Sequence, residues 1–129
     1  MGAKILVVDD EQDVRTYLRT LLTRQGYEVV TAADGEEGLS AAREHRPGLV
    51  FLDIMMPKKT GIMLYRRLKK DPELGGVPVV ILTGLSQYRT FFAQDFEEVP
   101  QPEAFVEKPP DREELLRLVE SLVKAPAEG

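Results

Sequence analysis

Residues 49–53 read Leu-Val-Phe-Leu-Asp, four apolar residues followed by a carboxylate. Three further apolar runs, at residues 5–8, 79–82 and 104–107, also lead into polar or charged side chains. Short apolar runs that alternate with helical patterns are typical of buried parallel strands. Ligands of an open parallel sheet bind outside the carboxyl ends of its strands. We therefore expect the polar residues that follow these runs to line one site.

The segments between the predicted strands have helical periodicity. Val14, Leu18 and Leu21 recur at helical spacing, and Gly26 follows where a helix would end. A second strand is predicted over 28–31, and the other helices are predicted to begin near Asp34, Thr60, Ser86 and Asp111. Five strands that alternate with helices predict an α/β fold, a doubly wound five-stranded parallel sheet with helices on both faces.

The stretch between Thr83 and Lys108 fits this pattern least well. A fourth helix is predicted over about 86–95, whereas Pro100 and Pro102 prevent helix afterwards. We therefore expect an atypical fourth helix.

The basic residues that follow the third strand are predicted to form a solvated helix face. They are Lys58, Lys59, Arg66, Arg67, Lys69 and Lys70.

Length and composition limit the class of protein. The 129 residues suit one domain, predicted over 1–124 with a short flexible tail over 125–129. The net charge of −5 argues against direct binding of nucleic acid, which normally requires a basic patch. No apolar run approaches the roughly 20 residues of a membrane span, and residues 5–8 are too short for the core of a signal peptide. With no cysteine in the sequence, we expect a cytoplasmic domain.

The residues after the strands suggest phosphoryl transfer. If their strands are neighbours, Asp9, Asp10 and Asp53 form a cluster of like charges that needs a cation or a raised pKa. Carboxylate oxygens suit a hard divalent ion, Mg²⁺ first and Mn²⁺ as an alternative. A carboxylate beside such an ion can attack phosphorus. The hydroxyl of Thr83 and the ammonium of Lys108 are suitable partners for phosphoryl oxygens.

Five segments of the chain resemble the receiver domain of two-component response regulators. They occur in the order and at the approximate spacing of that family: residues 7–11 (Val-Val-Asp-Asp-Glu), 33–39 (Ala-Asp-Gly-Glu-Glu-Gly-Leu), 52–57 (Leu-Asp-Ile-Met-Met-Pro), 82–84 (Leu-Thr-Gly) and 105–109 (Phe-Val-Glu-Lys-Pro). Each segment alone is weakly specific, but five in order are highly specific. The resemblance implies the strand order 2-1-3-4-5.

The resemblance also implies how a phosphoryl group is received. Asp53 would take it from the phosphohistidine of a sensor histidine kinase or a phosphotransfer protein. Asp10, Asp53 and the backbone carbonyl of Met55 would bind Mg²⁺ directly, while Asp9 would act mostly through a bound water. No other cofactor is implied, and the domain would not be an enzyme beyond phosphorylating and dephosphorylating itself.

A conformational switch is the further implication. Lys108 would pair with Asp53 at rest and with the phosphoryl group afterwards. Thr83 would turn toward the phosphoryl oxygens, and Phe105 would follow inward as an aromatic switch. The change would alter contacts with an unidentified downstream protein or favour a phosphorylation-dependent homodimer, without membrane insertion.

Two other functions remain open at this stage. One is a binding module that keeps the receiver fold but works without phosphorylation. The other is a Mg²⁺-dependent aspartyl-phosphate phosphatase of the haloacid-dehalogenase type, in which the nucleophile and the acid lie two residues apart after the first strand. Asp9 and Asp10 are adjacent here, and the best nucleophile, Asp53, follows the third strand. Both facts count against the phosphatase.

Overall fold

The structure, a computed structural model, describes residues 3–84 and 100–127. Five parallel strands form one sheet in the order β2-β1-β3-β4-β5. The strands are β1 (Lys4–Val8), β2 (Glu28–Ala32), β3 (Leu49–Asp53), β4 (Val79–Thr83) and β5 (Ala104–Glu107). The predicted parallel sheet and its strand order are confirmed.

The described residues form four α-helices beside the sheet, and a short 3₁₀ turn over Pro57–Lys59 precedes the third. The helix predicted over 86–95 lies outside the described residues. The last helix continues three residues beyond Lys124 into the predicted tail, so the domain boundary stays a prediction. Within residues 3–84 and 100–127, no helix is long and apolar enough to cross a membrane. The helices are α1 (Gln12–Arg24), α2 (Gly35–His45), α3 (Thr60–Lys70) and α4 (Arg112–Ala127).

The helices pack on both faces of the sheet and create two cores. Because successive side chains of a strand point to opposite faces, β1 contributes Leu6 and Val8 to one core and Ile5 and Val7 to the other. The first core contains buried residues of α2 and α3, and the second contains those of α1 and α4. The predicted helices on both faces are therefore confirmed.

Side chains and one glycine fix the ends of three helices. The side chain of Asp34 accepts a hydrogen bond from the Glu37 backbone N–H, and Asp111 accepts one from Glu114. Both are N-caps that satisfy an otherwise unpaired donor of the first turn. Gly26, just beyond α1, has a φ of +96°, which suits the residue that ends a helix.

Lys69 contradicts the prediction of a solvated basic face on α3. Its side chain is only 3% exposed, and its Nζ lies 3.2 Å from the carbonyl of Val77 and 3.4 Å from Oε1 of Glu103. The same Glu103 carboxylate accepts a hydrogen bond of 2.7 Å from the backbone N–H of Val79. Periodicity placed Lys69 on an outer face, but the ammonium folds back onto the amino-terminal edge of β4, where these oxygens satisfy it.

Candidate functional site

Three carboxylates converge at the carboxyl ends of β1 and β3, which are neighbours in the sheet. An oxygen from each of Asp9, Asp10 and Asp53 can be chosen so that all lie within 4.8 Å of one another. Asp9 and Asp53 are buried, whereas Asp10 is exposed. The structure thus brings together the three acids that the sequence suggested as a cluster.

The two buried carboxylates are oriented by the same type of hydrogen bond, from the backbone N–H two residues further along the chain. Asp9 Oδ1 accepts a hydrogen bond of 2.8 Å from the backbone N–H of Glu11, and Asp53 Oδ1 accepts one of 2.9 Å from that of Met55. Each bond spans two residues and turns the chain out of its strand. One oxygen of each carboxylate is therefore held by backbone, while Oδ2 of each faces the end of β5.

A glycine allows the loop after β3 to pack tightly beneath the site. A Cβ atom added at Gly61 would lie 2.4 Å from the backbone oxygen of Asp53 and 3.0 Å from the Cα of Ile54. A side chain there would require the backbone to shift. Glycine at this position therefore lets the first turn of α3 approach the end of β3 and fixes where Asp53 lies.

Lys108 joins the carboxylates from the end of β5. Its Nζ lies 2.8 Å from Asp9 Oδ2, 3.1 Å from Glu11 Oε1 and 3.2 Å from Asp53 Oδ2. Its backbone N–H donates to the carbonyl of Thr83 at 2.9 Å, which extends the pairing of β4 with β5. The backbone therefore sets the position of Lys108, and its side chain contacts three acids.

The charges in this cluster do not balance. Burial foremost, and then the nearby charge of Asp9, raise the pKa of the Asp53 carboxyl to about 6, although the Met55 N–H and Lys108 oppose the rise. Burial alone would lower the pKa of Lys108, but the hydrogen bond and charge of Asp9 and the charge of Asp53 outweigh it and raise that pKa. Three carboxylates, those of Asp9, Glu11 and Asp53, share the single positive charge of Lys108.

The two residues predicted to form the switch lie on adjacent strands. Thr83, the last residue of β4, is buried, and its hydroxyl is 3.5 Å from the backbone oxygen of Gly84. Phe105 in β5 pairs in register with Ile81, and 38% of its surface is exposed. Met55 follows Asp53 by two residues, and its side chain is exposed. Their roles in switching and metal binding stay predictions.

Sequence reasoning missed two residues that contact the site. The carboxylate of Glu11 contacts Lys108, and the guanidinium of Arg15 donates to the backbone carbonyl of Asp9 at 2.7 Å. No helical spacing indicated the bond from Arg15, because the carbonyl that it reaches lies six residues earlier and before α1 begins. No comparable signal pointed from Glu11 to a lysine 97 positions away.

Residues 5–120 match the sequence model of the response regulator receiver domain. The chain therefore belongs to the response regulator receiver domain family of two-component signalling. This match also gives the general function: the chain is a receiver domain of two-component response regulators.

Named relatives include both long and short proteins. Protein Rrf1 of Nitratidesulfovibrio vulgaris is 33% identical over 129 residues, which cover 100% of this chain and 88% of that protein. The probable transcriptional regulator ycf27 of Porphyridium aerugineum is 48% identical over 83 residues, 64% of this chain and 33% of that protein. The alkaline phosphatase synthesis transcriptional regulatory protein PhoP of Bacillus subtilis is 45% identical over 83 residues, 64% of this chain and 34% of that protein. The match to these two regulators thus spans about a third of their length.

Solved structures that are similar to this chain include those of a chemotaxis protein and of NtrX. The chemotaxis protein CheY4 of Vibrio cholerae superposes with a TM-score of 0.83 at 30% identity, covering 95% of this chain and 99% of that chain. NtrX of Brucella abortus superposes with a TM-score of 0.83 at 32% identity, covering 96% of this chain and 27% of that chain.

Proposed function

We propose that this receiver domain accepts a phosphoryl group on Asp53 from the phosphohistidine of a sensor kinase or phosphotransfer protein. One observation carries the proposal: Asp53 lies beside two further carboxylates and the ammonium of Lys108, at the carboxyl edge of the sheet. This is the edge at which ligands of such sheets bind. The proposal also needs a competent nucleophile, a compensating cation and groups that bind the transferred phosphoryl group.

Asp53 is the nucleophile in this proposal. With a pKa of about 6, its carboxyl is mostly ionised near pH 7. One carboxylate oxygen attacks phosphorus, a bond from phosphorus to that oxygen forms, and the bond to the histidine nitrogen breaks with its electron pair left on the nitrogen. Catalysis of such a transfer consists mainly of positioning and of electrostatic stabilisation.

The donor set fits a divalent cation. Asp9, Asp10 and Asp53 offer carboxylate oxygens within 4.8 Å of one another, and Asp9 and Asp53 share the positive charge of Lys108 with Glu11. Oxygen ligands of this kind suit Mg²⁺, or Mn²⁺ in its place. These three residues and the backbone carbonyl of Met55 would hold the ion, with Asp9 acting mostly through water. When bound, the ion would neutralise the acids and charge on the phosphoryl oxygens.

Lys108, Thr83 and Phe105 respond to the phosphoryl group in this proposal. Lys108 Nζ, already 3.2 Å from Asp53 Oδ2, binds a phosphoryl oxygen, and the Thr83 hydroxyl turns from Gly84 to bind another. That turn vacates space beside β4, which the partly exposed ring of Phe105 fills. Because Phe105 has no hydroxyl, the switch depends on packing alone. It shifts a population between two states.

The switch acts through surface contacts. The proposed partners are a kinase or phosphotransfer protein upstream and another protein downstream, with a phosphorylation-dependent homodimer as one form of output. We propose that the domain works in the cytoplasm and turns over no substrate beyond its own phosphorylation and dephosphorylation. Several relatives are named transcriptional regulators, which supports a signalling output.

Incubation with acetyl phosphate and Mg²⁺ tests the proposal by intact-protein mass spectrometry. We expect a mass gain of one phosphoryl group. This gain should not occur when EDTA is present during the incubation, nor in Asp53→Ala. Asp71→Ala is the matched control, since Asp71 is a carboxylate remote from the site that hydrogen-bonds its own turn, and it should still be phosphorylated. No gain in the unmodified chain would favour the binding module, and consumption of acetyl phosphate that continues in Asp53→Ala would favour a phosphatase whose nucleophile follows the first strand.

A further inference from the structure

A hollow between α2 and α3 collects basic side chains on a chain whose net charge is −5. Its volume is about 420 Å³. Among the described residues that line it, four carry a cationic side chain and one carries a carboxylate. We call this surface the basic hollow, and its lining residues are Arg43, Met63, Arg66, Arg67, Lys70 and Asp71.

The helical spacing of α3 brings most of these side chains together. Met63, Arg67 and Lys70 follow one another at intervals of four and three residues, which places them on one face of a helix, and all three are exposed. The opposite face of α3 is buried in the core through residues such as Leu64 and Leu68. The periodicity that builds the core therefore leaves a basic face toward solvent.

The carboxylate in the basic hollow does little to neutralise it. Oδ1 of Asp71 accepts hydrogen bonds from the backbone N–H groups of Glu73 and Leu74, at 2.8 and 3.3 Å. Oδ2 lies 4.0 Å from Nε of Arg43, whose side chain is 60% exposed. An exposed pair at this distance contributes little binding energy. Asp71 therefore serves mainly its own turn.

Arg67 and Lys70 have no acidic partner in the part of the chain that the structure describes. Neither side chain forms an ion pair or a hydrogen bond there. The two residues lie one helical turn apart, where like charges repel each other. An anion bound from outside would relieve this repulsion.

An acidic peptide segment fits this surface best. Guanidinium groups bind carboxylates through paired N–H donors, and Met63, 39% exposed, adds an adaptable apolar contact beside the cations. Nucleic acid normally requires a larger basic patch, and the net charge of −5 would repel it. An acidic surface of a second copy would pair two different patches, a contact that does not close into a symmetric dimer.

We propose that the basic hollow docks an acidic peptide segment of another protein. Carboxylates of that segment bind Arg43, Arg67 and Lys70, and an apolar side chain beside them packs on Met63. The lining residues do not include Asp53 or the acids that surround it, so docking requires neither Mg²⁺ nor phosphorylation. The inference therefore goes beyond the proposed function and does not depend on it.

The probe is a fluorescein-labelled peptide, Gly-Asp-Glu-Leu-Asp-Glu-Gly, and fluorescence anisotropy in EDTA measures its binding. EDTA prevents a metal ion from bridging the peptide to the acids around Asp53. We expect a Kd below about 1 mM in 0.1 M salt and a weakening of about 3- to 10-fold in 0.5 M salt. The same peptide with Asn and Gln in place of its acids should bind at least about 10-fold more weakly. Amide NMR shifts should concentrate in α2 and α3.

Charge reversal tests where the peptide binds. Arg67→Glu with Lys70→Glu should weaken binding by about 10-fold or more, because repulsion replaces two attractions. Arg19→Glu with Arg24→Glu is the matched control: it changes the net charge equally at exposed positions of α1, which packs on the opposite face of the sheet. Its affinity should stay within about 2-fold. Arg67→Gln with Lys70→Gln, a milder change to α3, should weaken binding by about 2- to 10-fold.

Several results would overturn the inference. Equal weakening by the α1 control would mean that overall charge drives binding, and equal affinity for the uncharged peptide, or no binding up to about 1 mM, would leave no acidic docking site. Self-association that Arg67→Glu with Lys70→Glu abolishes would identify a second copy as the occupant. Tighter binding of a labelled oligothymidylate, lost in the same variant, would identify nucleic acid. Failure of Asp53 phosphorylation would leave this inference standing.

Discussion

Two poorly exposed lysines lie at opposite edges of the sheet and have different surroundings. At the carboxyl edge, Lys108 has a side chain 18% exposed, and three carboxylates contact its Nζ. At the amino edge, Lys69 is 3% exposed and contacts the Glu103 carboxylate and the carbonyl of Val77. Its Nζ also lies 5.8 Å from the ring centroid of Tyr65, within the range of a cation–π contact. The two lysines thus differ in the balance of charge around them.

This difference indicates that Lys108 can exchange its contacts, whereas the contacts of Lys69 hold the structure in place. Lys108 faces an excess of negative charge, so a further cation or a new anionic group changes which contacts it keeps. Lys69 and Glu103 form one pair whose carboxylate is also bound by the Val79 N–H. Because β5 runs from just after Glu103 to just before Lys108, the pair holds one end of the strand whose other end is proposed to switch.

The largest expected effect is a loss of stability when the contacts of Lys69 at the amino edge are removed. Lys69→Ala removes a buried ammonium and leaves the Val77 carbonyl and the Glu103 carboxylate without this donor. We expect the free energy of unfolding to fall by about 2–4 kcal/mol, measured by urea unfolding at pH 7. Lys70→Ala is the control, because Lys70 is the exposed neighbour on the same helix, and its effect should stay within about 0.5 kcal/mol. Equal effects in both variants would mean that the contacts of Lys69 contribute little.

A smaller change in stability, of opposite sign, is expected when Asp53 at the carboxyl edge is substituted. Since the folded-state pKa of Asp53 is raised from 3.8 to about 6, the folded chain binds this proton more tightly than the unfolded chain. Its contribution to stability is complete below pH about 4 and is lost as the pH rises to about 6. Asp53→Asn should therefore increase the free energy of unfolding by about 1–2 kcal/mol at pH 7 in EDTA.

The pH dependence provides the control for Asp53→Asn. The gain in stability should shrink steadily from pH 7 to pH 4, because the native carboxyl becomes protonated over that range. Urea unfolding at several pH values measures it. Asp13→Asn, on the exposed part of α1, should lack this profile. A stabilisation that is the same at pH 4 and pH 7 would contradict the argument from charge and point to packing instead.

The sequence predicted the carboxyl edge better than the amino edge, for a physical reason. Parallel strands end at one edge, so residues that follow them, such as Asp9, Asp53 and Lys108, must lie close together once the strand order is known. Short side chains next to a strand have little freedom in where they point. The strand order and this cluster could therefore be inferred from strand ends and from the family resemblance.

Long side chains could not be placed in the same way. The position of Lys69 on the outer side of α3 predicted solvent exposure, but its four-carbon stem lets the ammonium fold back to the oxygens beneath the helix. The partner of Glu11 was missed for a similar reason, since the contact with Lys108 joins two loops that no periodicity relates. Such contacts depend on tertiary geometry, which residue spacing does not report.

The smallest expected effect concerns the proposed Mg²⁺ ion, and it compares the two lysines directly. Removing an ammonium within 3.2 Å of Asp9 and Asp53 removes a charge that repels a second cation. Lys108→Met should therefore bind Mg²⁺ about 3- to 10-fold more tightly, measured by titration calorimetry at pH 8, where Asp53 stays ionised. Lys69→Met, which removes an ammonium at the opposite edge, should leave this affinity within about 1.5-fold at a temperature where it remains folded. If Lys108→Met bound Mg²⁺ more weakly, Lys108 would have to hold the carboxylates in place for the ion, and the carboxyl edge would depend on fixed contacts as the amino edge does.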